Sequence, residues 1–230
     1  MTTIERNLYR VRDRITTACM AAGRDPTSVA LLAVSKTFGA DAVVEAMATG
    51  QCAFGENYIT EGVEKILALR AYTQLVWHCI GPVQSNKTRL VAEHFDWVQS
   101  VDRLKIAQRL NEQRPTHLAP LQICIQVNID GGTNKSGVTP QDLPAFIADV
   151  VKLPNLRLRG LMTLPEPAIN FAAACAQHLD AKALFDSVNA TAGLLQPMDT
   201  LSMGMTNDLE AAIDSGSTMV RVGTAIFGKR

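Results

Sequence analysis

The chain has 230 residues, of which 47% are hydrophobic and 19% charged, with 22 basic and 22 acidic side chains. A net charge of zero offers no electrostatic footprint for nucleic acid, and the apolar content excludes a disordered chain. No apolar run approaches the roughly 20 residues of a membrane span, and the charged stretch from Met1 to Arg14 lacks the apolar centre of a secretory leader.

The pattern opens with a helix. Ile4, Leu8, Val11, Ile15, Ala18 and Ala22 mark one face, Gly23 caps it and Pro26 prevents its continuation. Strand and helix then alternate. Strands are expected over 29–36, 52–57, 75–80, 97–101, 121–129, 156–164, 200–205 and 219–227. Helices are expected between them, over 41–49, 59–69, 87–95, 103–113, 143–151, 172–190 and 209–214. The last of these has Asn207 as its expected N-cap, with Glu210 three residues on.

Apolar runs without alternation mark parallel strands covered on both faces. The strand-to-strand spacing averages about 27 residues, close to the roughly 30 of a strand–helix–strand unit. Eight such units in this length imply an α/β fold, a single (β/α)8 barrel domain over residues 1–230 with an added N-terminal helix. No helix is expected after the eighth strand, so the N-terminal helix is the candidate to cover that gap. An open, doubly wound sheet is the alternative. It would want G-x-G-x-x-G after the first strand, where the chain has Ser35-Lys36-Thr37-Phe38-Gly39.

Cys19, Cys52, Cys79, Cys124 and Cys175 include no C-x-x-C pair, and the four histidines are scattered. Five inert thiols, no metal and a reducing, cytoplasmic setting are the expectation.

Barrel chemistry sits at the C-terminal ends of the strands. Lys36 ends a very apolar run there. It has no surface to reach unless it faces the barrel mouth, and desolvation there would favour reaction of its amine with an aldehyde. Position alone equally allows a lysine that merely exits to solvent. Phosphate sites form from the loops after strands seven and eight, here Ser202-Met203-Gly204-Met205 and Gly223-Thr224. Arg221 shares a strand face with Gly223 and, if inward, needs a partner: a pyridine nitrogen, a phosphate, or a carboxylate such as Glu56. An amine, an anion cup and a cation fit a phosphorylated aldehyde cofactor. They also fit a phosphosugar held on a Schiff-base lysine.

Several segments go further. LLAVSKT at 31–37, FGENY at 54–58, WHCIGPVQSNK at 77–87, KSG at 135–137, LRGLM at 158–162, LSMGM at 201–205 and STMVRVGTAIFG at 217–228 resemble the pyridoxal phosphate homeostasis family, in order and over nearly the whole chain. Such proteins share the barrel of the alanine racemase N-terminal domain. The resemblance implies pyridoxal 5′-phosphate (PLP) held as a covalent aldimine on Lys36, with Arg221 facing the pyridine nitrogen. It implies a phosphate cup from Ser202, Gly223 and Thr224, with Met203 and Gly204 in the same loop, and Asn57 and His78 at the pocket. It implies no catalytic residues and apo-PLP enzymes as clients that receive the cofactor, and the lack of a second domain makes a monomer the expectation. Alanine racemases add a β-rich second domain with a catalytic tyrosine, for which the chain ending at Arg230 has no room. The alternative is a PLP-dependent amino-acid racemase. Lys135, in the glycine-rich loop after the fifth strand, is expected to be a surface lysine or a transient phosphate station.

Overall fold

The computed structural model describes residues 2–132 and 135–228. The N-terminal helix α1 spans Thr3–Ala21. Thr2 and Glu5 form a reciprocal capping box at its start (3.2 and 3.1 Å), and Gly23, at φ 66°, supplies the left-handed turn after its end. The strands are β1 (Ala30–Val34), β2 (Ala53–Glu56), β3 (Val76–Cys79), β4 (Trp97–Val101), β5 (Leu121–Val127), β6 (Leu156–Thr163), β7 (Thr200–Ser202) and β8 (Met219–Val222). The helices between them are α2 (Ala40–Met47), α3 (Ile59–Ala68), α4 (Thr88–His94), α5 (Leu104–Gln113), α6 (Leu143–Val150), α7 (Phe171–Thr191) and α8 (Leu209–Asp214). Among the described residues the strands pair in parallel, each with its neighbour in sequence, and β8 closes onto β1 through the Ala30/Met219 to Ala33/Val222 register. This is the closed (β/α)8 barrel that the strand spacing implies.

The eighth strand is shorter than the apolar run that announces it. It stops at Val222, and a one-turn helix, α9 (Thr224–Phe227), follows. Ile226 and Phe227 are buried against the outer core, whereas Thr224 at the start of that helix is exposed. Likewise β1 ends at Val34, two residues before Lys36, and β7 ends at Ser202. Asp208, not Asn207, is the N-cap of α8, and its side chain turns elsewhere.

Outward strand residues such as Ala33, Phe54, Val98, Ile123 and Val220 pack under the helices in one continuous apolar layer. Leu8, Val11 and Ile15 of α1 join that layer. The helix lies across the β8–β1 seam, between α2 on one side and α8 and α9 on the other. Asn7 Nδ2 donates to Ile226 O (2.9 Å), Arg14 makes two bonds to Glu210 (2.8 and 2.9 Å), and Arg24 donates to Ile213 O and Ser217 O (2.6 and 2.8 Å). A helix does follow β8, contrary to the expectation from the sequence, but it is only the one-turn α9, and α1 packs over it and across the seam.

The barrel interior is unlike this apolar layer. Gln99 of β4 reaches both Ser202 of β7 and Met219 of β8, which are not its sheet neighbours, so its side chain crosses the barrel axis. Trp97, Cys124 and Met162 fill the lower interior, and the Arg159 guanidinium lies 4.7 Å from the Trp97 ring centroid. At Gly160 an added Cβ would sit 1.6 Å from Thr200 O, so β6 and β7 approach as closely as they do only because no side chain intervenes.

Candidate functional site

A cavity of about 1020 Å³ opens at the C-terminal ends of the strands. Val34, Lys36, Asn57, Arg221, Gly223 and Thr224 line it, together with the β6–α7 connection from Leu164 to Phe171 and the β7–α8 loop from Met205 to Asp208. Five of the residues expected at the pocket therefore converge: Lys36, Asn57, Arg221, Gly223 and Thr224.

Lys36 is half-buried, in a turn that follows β1 directly. Ser35 N–H still donates to Gly55 O (3.1 Å), which holds the turn to β2, and Phe38 N–H closes it on Ser35 O (3.1 Å). Asn57 leaves β2 beside it, and its Oδ1 is buried with no hydrogen-bond partner among the described residues.

Arg221 is 4% exposed. Its Nη1 donates to Ser202 Oγ and its Nη2 to Thr163 O, both at 2.8 Å. Burial pushes its pKa down to about 10, which leaves the guanidinium charged at neutral pH. The carboxylate alternative does not apply: Glu56 lies on the opposite face of its strand, where it accepts from Lys65 Nζ (2.8 Å) and Ser35 Oγ (2.6 Å). Among the described residues no carboxylate is hydrogen-bonded to Arg221, and its remaining N–H donors are available to the cavity.

Gly223 begins the turn into α9. An added Cβ would meet Val34 O at 3.2 Å and Val34 Cβ at 3.4 Å, so a side chain there would crowd the cavity floor. Thr224 is exposed beside it.

The other four expected residues do not line the cavity. His78 is 2% exposed, stacked on Trp97 with ring centroids 5.0 Å apart, and burial pushes its pKa down to about 3, so it is neutral. Its Nδ1 lies 3.0 Å from Gln99 Nε2. Ser202 is fully buried. Its hydroxyl donates to Gln99 Oε1 (2.7 Å) and accepts from Arg221, which leaves no proton for a ligand. Met203 packs into the outer core, and Gly204, at φ 90°, lets the loop pass 2.3 Å from Ala212 Cβ as measured from an added Cβ. The loop thus offers the cavity residues 205–208 rather than the side chains of Ser202 and Met203. Lys135 also lies outside the lining. Its Nζ binds Asp130 Oδ2 (2.5 Å), Glu166 Oε1 (3.1 Å) and Leu164 O (3.2 Å), joining the loops after β5 and β6. Thr133 and Asn134 of that loop lie outside the described residues.

Three participants escaped sequence reasoning. Gln99 and Thr163 orient Arg221, directly or through Ser202. Asp208 fastens the β7–α8 loop: its Oδ1 accepts from Met205 N–H (2.7 Å) and its Oδ2 pairs with His178 Nε2 (3.0 Å). Burial alone would raise the Asp208 carboxyl, but those hydrogen bonds outweigh it and hold it below the usual range. Gln99 carried a legible signal, a polar residue inside the apolar run Trp97–Val101, read by the same logic as Arg221.

Among the described residues no group of three His, Cys, Asp or Glu side chains could hold a metal ion, and no helix is long and apolar enough to cross a membrane.

Known proteins resemble the chain along its whole length. The family model described as alanine racemase, N-terminal domain, matches residues 3–230. The pyridoxal phosphate homeostasis protein of Pseudomonas aeruginosa is 56% identical over 230 residues, covering 100% of this chain and 97% of its own. The Escherichia coli K12 protein of the same name is 50% identical over 232 residues, covering 100% of this chain and 98% of its own. Among solved structures, PipY of Synechococcus elongatus with PLP bound superimposes with a TM-score of 0.86 at 34% identity, over 98% of this chain and 100% of that one.

Proposed function

This chain belongs to the alanine racemase N-terminal domain family and, within it, to the pyridoxal phosphate homeostasis proteins, and from that membership we propose that it binds PLP as a Schiff base on Lys36 and supplies it to other enzymes without turning over a substrate. The observation that carries this reading is the convergence on one cavity of the Lys36 amine, the Arg221 guanidinium and the Gly223–Thr224 turn.

The donor set fits the cofactor. When bound, PLP supplies an aldehyde that condenses with a primary amine and a ring that can withdraw electrons from an attached carbon. Lys36 brings the amine. Arg221, held from behind by Ser202 and Thr163, would present a donor-only cation to the cofactor; facing its ring nitrogen, such a cation would disfavour protonation there and weaken the ring as an electron sink. Gly223 leaves room for an anion against the backbone, and Thr224 adds a hydroxyl. Holding the cofactor is favoured over using it. We propose further that residues 1–230 act as one PLP-binding unit, a cytoplasmic monomer whose partners are PLP and apo-PLP enzymes, with no role for nucleic acid or membrane. Relatives of this length that bear the homeostasis name, and a fold neighbour solved with PLP, support the reading.

The test uses PLP-loaded protein. Mixed with an apo-PLP enzyme, it should restore that enzyme's activity, while L-alanine incubated with it should remain unracemised. Sustained racemisation by protein free of contaminating enzyme would establish the alternative, a PLP-dependent amino-acid racemase. Failure to restore the apo-enzyme would remove the supply role.

A further inference from the structure

Lys65 of α3 is 5% exposed. Its Nζ donates to Ser35 O (2.7 Å) and Glu56 Oε1 (2.8 Å) and pairs with Glu61 Oε1 (2.7 Å). An ammonium has three protons, so each has a partner and this amine is not a competing nucleophile. Glu61 Oε1 in turn accepts the backbone N–H of Thr37 at 2.5 Å. The residues immediately before and after Lys36 are therefore both tied to one buried ammonium.

Thr37 sits at φ 68°, the left-handed region, which a β-branched residue adopts only where its surroundings require it. The Thr37–Glu61 bond is one of the contacts that hold it there. A buried ion pair gains little net stability against an apolar replacement of the same shape, so the placement of this one, bracketing a single residue, calls for another explanation.

We propose that Glu61, held by Lys65, is a positioning residue that aims the Lys36 amine into the cavity. The proposal rests on the reading of Lys36 as the Schiff-base lysine. In that step the Lys36 ammonium first loses one proton to solvent, its Nζ bonds to the aldehyde carbon, and the aldehyde oxygen leaves as water with the two remaining Nζ protons. A turn that presents the amine at a fixed angle speeds the step without adding to the noncovalent grip on the cofactor.

The experiment measures imine formation by absorbance after mixing apo-protein with PLP, in wild type, Glu61→Ala and Glu61→Gln. Circular dichroism confirms the fold of each, which the partly solvated Glu61 side chain, 30% exposed, makes attainable. Glu61→Ala should slow imine formation by on the order of tenfold. Glu61→Gln keeps an acceptor for the Thr37 N–H and should remain near wild type. In a Lys36→Ala background, Glu61→Ala should leave the residual PLP affinity unchanged. Wild-type kinetics in Glu61→Ala, a Gln variant as slow as the Ala variant, or equal loss of affinity in both backgrounds would each overturn the proposal. Borohydride treatment of the wild type separates the two layers: no adduct on Lys36 would defeat the underlying reading and this proposal with it, whereas an adduct with unaltered Glu61→Ala kinetics would defeat the positioning role alone.

Discussion

At Ser202 a single hydroxyl serves two partners, and its one proton sets the direction of the whole interior chain. That proton goes to Gln99, so only its lone pairs face Arg221, and Gln99 passes the polarity on to the neutral His78. Ser202→Ala removes both bonds and leaves the Gln99 oxygen and one Arg221 N–H without partners in a buried setting. The expected loss of stability is about 1–3 kcal/mol, measured by urea denaturation. PLP affinity should weaken only through a looser Arg221. A variant as stable as wild type would mean that the interior chain is repaired by water.

The residue scale is also where sequence reasoning reached its limit. Lys36, Asn57 and Arg221 were legible because a polar residue at the end of a buried strand has few places to go but the barrel mouth. His78 and Ser202 occupy the same strand-end positions, yet they turn inward to Gln99, 21 and 103 residues away in sequence, which no local pattern encodes. Lys65 carries no local signal of its partners Ser35 and Glu56, 30 and 9 residues away in sequence.

At the scale of elements, the β7–α8 loop and α7 are joined by the Asp208–His178 pair, with Asp208 also taking the Met205 N–H. The folded state holds the Asp208 carboxyl below its unfolded value, so the ionised form is the one that favours folding. That contribution is complete above the unfolded carboxyl pKa of about 4 and is lost as pH falls through the lower folded value. Asp208→Asn should therefore cost about 1–3 kcal/mol at pH 7, and its gap to wild type should close as the pH is lowered below about 4. Urea denaturation at pH 7, 4 and 3 measures this, and a pH-independent gap would show that the carboxylate charge plays no part. Element boundaries follow a similar lesson. The apolar run from Met219 to Phe227 reads as one strand, because its apolar residues resume at Ala225, Ile226 and Phe227 after the backbone has changed from β8 to α9 at Gly223. Periodicity over four residues cannot separate the two.

At the scale of the whole molecule, the barrel was legible from the regular alternation of buried runs and helices, and α1 from its single apolar face, whereas the one-turn α9 after β8 was not. The closed sheet places every strand end on one rim, so residues as distant in sequence as Lys36 and Arg221 share a cavity. The central claim is that this cavity holds PLP covalently through Lys36. Its most direct measurement is peptide mapping of PLP-loaded protein after borohydride reduction, which fixes any imine as a stable secondary amine. The account predicts one pyridoxyl-modified peptide, carrying Lys36, absent in Lys36→Ala. A label on another lysine, or none in protein that binds PLP, would contradict it.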